Sequence, residues 1–102
     1  MATTTDTLGA RAGTYVMDGA REYLRSHNLT IHNYATAAES LKAAARVALP
    51  EAIADAKAAL DAHMPDIATA TFAATLRLAG IDAAKSWADD GTAVLADRLA
   101  IN

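Results

Sequence analysis

Alanine occupies 28 of the 102 positions, and this limits what the chain can become more than any other feature. Alanine loses no side-chain entropy in a helix and has the highest helix propensity of any residue. It also buries little area, so each alanine adds little to a core. The 53% hydrophobic content is about half methyl groups. Such a chain makes helices easily but fills a core thinly, so its helices must pack close together. At this length one core is feasible, since folding removes roughly two thirds of the unfolded chain's surface from water. The expected fold is all-α, a compact bundle or orthogonal array of four to five short helices. It forms a single helical domain over residues 1–102, with 1–5 frayed.

Apolar residues recur at helical spacing from Asp6 onward: Leu8, Ala12, Tyr15, Val16, Ala20, Tyr23 and Leu24. Asp6 suits the cap of this helix, and Asn28 suits the turn that ends it. Gly9, Gly13 and Gly19 each weaken it by about 1 kcal/mol relative to alanine. The spacing Gly9-x-x-x-Gly13 predicts a close backbone crossing there. Leu29–Asn33 reads as a linker, and Thr36-Ala-Ala-Glu39 as a capping box opening the next helix.

Leu49-Pro50-Glu51 and Met64-Pro65-Asp66 share one pattern, an apolar residue, a proline and an acid. Each proline is expected in a first helical turn, because leucine before proline is biased away from helical geometry. The uncharged stretch Ile67–Leu76 predicts a mostly buried fourth helix, with Arg77 in its last turn and Gly80 as its stop. Asp82 then caps a fifth, which Asp89-Asp90-Gly91 interrupts. Trp87 shares a face with Ala84, Ala88 and Gly91, whose small size leaves room to bury an indole. No segment alternates with period two for long enough to predict a strand.

The chain has no cysteine, which excludes disulfides, thiolate zinc sites and cysteine nucleophiles. A net charge of −3 argues against bulk electrostatic binding to nucleic acid or anionic lipid. No basic, apolar leader pattern opens the sequence, and the run Ile67–Leu76 is far too short for a membrane span. A cytoplasmic protein without a membrane partner is expected. The histidines are His27, His32 and His63. His63-x-x-Asp66 has metal-ligand spacing but straddles Pro65, so no metal is expected, and no cofactor either. The acidic pairs Glu51/Asp55 and Asp89/Asp90 lie in polar stretches and read as solvated. Arg11, Arg21 and Arg25 fall in one arc of the first helix, but Asp18 and Glu22 share that arc and nearly neutralise it. Nucleic acid is therefore not an expected partner. Tyr15 and Tyr23, eight residues apart, read as core. No residue is assigned a catalytic role.

One constellation is singled out as an interface. Leu49, Ile53, Ala56, Leu60, Met64 and Ile67 follow a spacing close to a heptad seam, widened by Ala52 and Ala59. The function expected is a non-catalytic interaction or assembly protein. It presents an alanine-rich helix face to a second copy, as a homodimer, or to another helical protein. The alternatives are a small DNA-linked regulatory protein or a soluble phage or mobile-element component. A small metal-dependent enzyme using His63 and Asp66 ranks behind these.

Overall fold

The computed structural model describes residues 9–96. Helix α1 spans Ala12–Ser26, strand β1 Leu29–Ile31, helix α2 Tyr34–Asp61, helix α3 Pro65–Asp90 and strand β2 Ala93–Leu95. The helical class holds, but the expected four to five short helices are three among the described residues, and two of them are long. Helix α2 has 28 residues and α3 has 26. At 1.5 Å per residue, α2 is about 42 Å long, and the molecule measures 53 × 22 × 21 Å. The expected cap at Asp6 lies outside the described residues.

The extra length comes from two predicted breaks that do not occur. Helix α2 runs through Pro50 instead of restarting there. A proline inside a helix removes one hydrogen bond and crowds the preceding turn. Here Leu49 and Ile53 on either side of it, with the buried Ala52 and Ala56, pack against the rest of the protein, while Pro50 itself is exposed. Burial of that face outweighs the local penalty. Replacing Pro50 with alanine is expected to stabilise the protein by about 2 kcal/mol. That is the roughly 3 kcal/mol propensity difference less the greater freedom alanine gives the unfolded chain. Thermal melts check this, and an unchanged melting temperature would contradict it.

Helix α3 likewise continues through Gly80 and Asp82, so the predicted fourth and fifth helices are one. Arg77 is therefore mid-helix, not in a last turn. Nor is the uncharged stretch mostly buried. Within it Ala68, Phe72 and Leu76 are buried, while Ile67, Thr69, Ala70 and Ala74 are exposed. Its threonines satisfy their hydroxyls on their own helix. Thr69 donates to the Pro65 carbonyl, Thr71 to Ile67 and Thr75 to Thr71.

Other boundaries follow the sequence closely. Pro65 does open α3 in its first turn, with Asp66 beside it. Asn28 takes a positive φ of 55° after the end of α1. Helix α2 starts two residues before the expected capping box, because the Asn33 side chain accepts the Thr36 N–H at 3.2 Å. It ends in a paired turn. His63, at φ 59°, donates its N–H to Leu60, and Met64 donates to Ala59. His63 thus occupies a position usually held by glycine. The predicted interruption at Asp89-Asp90-Gly91 is real, with Gly91 at φ 87°. Beyond Gly91 the chain enters strand β2.

The two short strands are the elements that sequence patterning did not predict. They pair antiparallel, Leu29 with Leu95, Thr30 with Val94 and Ile31 with Ala93. The Ala96 N–H donates to the Asn28 carbonyl and extends the pairing. Three residues are too few to show period two. The ribbon ties the linker after α1 to the chain leaving α3.

Candidate functional site

Helix α3 is the centre of the packing. Both α1 and α2 lie along it, while α1 and α2 touch each other only sparsely. The buried residues Val16, Phe72, Leu76, Ala52 and Ala56 form one cluster. Leu24, Ala20, Ala37, Ala84 and Trp87 form a second. Tyr15 meets Phe72 edge-on, ring centroids 6.0 Å apart, which places it against the core as expected.

Between the two clusters the backbones of α1 and α3 cross in direct contact. A Cβ built on Gly19 would overlap the Arg77 carbonyl, and one on Gly80 would overlap the Val16 carbonyl. Among the described residues the expected crossing at Gly9 and Gly13 is not there, since nothing beyond their own helix lies within 4 Å of such a Cβ. The Arg77 guanidinium donates to Glu22 and pairs the same two helices at the surface. The Thr75 hydroxyl also lies 3.2 Å from the Asp55 carboxylate, so its one hydrogen is shared between the Thr71 carbonyl and a carboxylate on α2.

The sparse contact between α1 and α2 leaves a trough of about 1090 Å³ among the described residues. Gly13, Thr14 and Met17 of α1 form one wall, and Ala38, Leu41 and Ala45 of α2 the other. Trp87 of α3 lies just beneath the floor, and Ile31 of β1 and Tyr34 line one end. Along α2 the trough runs from Tyr34 to Arg46, roughly 18 Å, or a little over three helical turns. Trp87 is fully buried, as the size of its neighbours predicted, and its Nε1–H has no hydrogen-bond partner among the described residues. Four charged side chains line the trough: Asp18, Arg21, Lys42 and Arg46.

The predicted seam lies elsewhere and is largely used within the chain. Ala56 is fully buried, and Leu49, Ile53 and Leu60 pack half-buried against the first cluster. Met64 and Ile67 remain open, at 52% and 51% exposure. Sequence reasoning did not pick out the trough. Its signal was present as Gly13 and Met17 one turn apart, and as Ala38, Leu41 and Ala45 at helical spacing. Nothing in that spacing says the two faces look at each other across a gap.

His27 stacks on Tyr23, centroids 4.0 Å apart, and its Nδ1 lies 3.0 Å from the Tyr23 carbonyl. His32 is exposed. His63 serves the α2–α3 turn, and Asp66 the first turn of α3. Among the described residues no three potential metal ligands come together. Asp90 accepts from both the side chain and the N–H of Thr92, which holds its carboxyl below the usual carboxylate value. A lowered carboxyl pKa stabilises the fold at neutral pH, an effect lost as pH falls through the folded-state value. Among the described residues no helix is long and apolar enough to cross a membrane. No protein-family model, curated protein or solved structure matches the chain.

Proposed function

We propose that this protein is a non-catalytic helical interaction module, and that the trough between α1 and α2 receives a helix of its partner. The observation that carries this reading is the arrangement of three helices around an open fourth position. Helices α1 and α2 flank that position, and α3 floors it. A four-helix bundle closes such a gap with its fourth member. The walls suit a helix, because Gly13, Ala38 and Ala45 let a backbone approach closely, while Met17 and Leu41 supply apolar contact. The trough has space for several apolar side chains in a row, as an amphipathic helix presents them.

Trp87 is the chain's only tryptophan, so its fluorescence reports on the floor of the trough. A 14-residue helical peptide with leucine on one face, glutamine elsewhere and no tryptophan is expected to bind and shift that emission. Ala38→Trp, which places an indole in the trough from an exposed position, should abolish binding as followed by calorimetry and leave the melting temperature nearly unchanged. No binding to the unaltered protein would remove the reading. The homodimer through the 49–67 seam stays a second reading, resting on the open Met64 and Ile67. Sedimentation equilibrium of Ile67→Asp against the unaltered chain tests it, with loss of a dimer as the expected result.

A further inference from the structure

We infer that the helix received between α1 and α2 is acidic on the flanks of its apolar face; this rests on the reading of the trough as a helix site. The chain as a whole carries a net charge of −3. The trough departs from that balance. Its lining holds three cations, Arg21, Lys42 and Arg46, against the single acid Asp18. One cation stands on α1, where Asp18 offsets it, and two stand on α2, so the positive excess lies along the α2 side of the apolar strip. Arg21 and Arg46 enter no ion pair among the described residues. Lys42 lies 3.7 Å from Glu39, but their side chains are 69% and 78% exposed, so that pair is weak and exchanges readily.

An amphipathic helix seated in the trough places its apolar face toward Trp87 and Leu41. The residues beside that face then pass the two charged rims. Carboxylates there meet Arg21 on one side and Lys42 and Arg46 on the other. Ammonium groups there meet Lys42 and Arg46 along α2, while along α1 Asp18 offsets Arg21. Complementary charge of this kind sets which partner is accepted and how fast it arrives more than how tightly it holds. Three exposed pairs of modest individual strength together amount to about tenfold in affinity.

The test uses three Trp-free 14-residue helical peptides with the same leucine face and glutamate, glutamine or lysine at the flanking positions. Trp87 emission and calorimetry follow their binding to the full chain. The glutamate peptide should bind about tenfold more tightly than the lysine peptide, and 1 M salt should close the gap. Arg21→Glu combined with Arg46→Glu should reverse the order. Both positions are exposed, so circular dichroism and the melting temperature should match the unaltered protein. Equal binding of all three peptides overturns the acidic assignment and leaves the helix site standing. Binding of none overturns both. Binding of laurate in place of every peptide shows an acyl-chain site and overturns the inference. A dimer that Ala38→Trp dissociates shows that a second copy fills the trough, and overturns it as well.

Discussion

Gly80→Ala is expected to destabilise the protein by about 3 kcal/mol or more, at or beyond the top of the usual range for overpacking. Most overpacked cores relax by turning a side chain, and this site has none to turn. The added methyl meets the Val16 carbonyl and the Ala20 N–H, which belong to the backbone of α1. Relief requires α1 and α3 to move apart, and that loosens the clusters on both sides of the crossing. Gly19→Ala should behave similarly, since its methyl meets the backbone of Arg77. The two losses should not add. Once one methyl has separated the helices, the second has less left to displace, so a double-mutant cycle should show coupling. Gly13→Ala is the control. It sits in the same helix with open space around it, so it should gain about 0.5–1 kcal/mol from propensity alone. Denaturant titrations of the four variants decide the matter. A Gly80→Ala protein as stable as the parent would show that the helices do not touch there.

Trp87→Ala is expected to cost about 3–5 kcal/mol, the usual range for emptying a large aromatic site. The residue is fully buried in the second cluster, where most of its neighbours are alanines. Alanines cannot collapse into the vacated space, which favours the upper end of the range. A domain of this size has about 5–15 kcal/mol in all. The loss should therefore lower the melting temperature by well over about 10 °C. Trp87→Phe should differ sharply. It keeps most of the ring and removes an N–H that has no acceptor, a group whose burial costs about 1–3 kcal/mol. A loss below about 1.5 kcal/mol is expected for phenylalanine. If phenylalanine costs as much as alanine, the N–H has a partner in solution, and the donor matters as well as the ring.

The local elements were legible wherever one residue type forces one geometry. Alanine content announced helix. Pro65 with Asp66 announced a start, Asn28 an end, and Gly91 after two aspartates a stop. Trp87 among small residues announced its own burial. Each of these inferences concerns a few neighbouring residues, and short-range sterics and hydrogen bonding settle them. The candidate seam was partly legible in the same way. Leu49, Ile53, Ala56 and Leu60 do lie along a packing face of α2, but the sequence pattern is the same whether that face meets another protein or its own α3.

Only the tertiary structure decided the rest. Pro50 and Gly80 carry strong local signals to stop, and both helices continue because the faces around them are buried against a neighbour. The sequence offered three glycines in α1 and no means of telling which one meets another backbone. Gly19 does so because it lies against the backbone of Arg77, fifty-eight positions away, and Gly13 does not because it faces the trough. The three-residue strands exist because Leu29–Ile31 and Ala93–Leu95 find each other, not because either triplet prefers to be extended. The trough has the same origin. Its two walls are ordinary helix faces, and what makes them a trough is that α1 and α2 both spend their closest packing on α3 and, among the described residues, leave the space between themselves open.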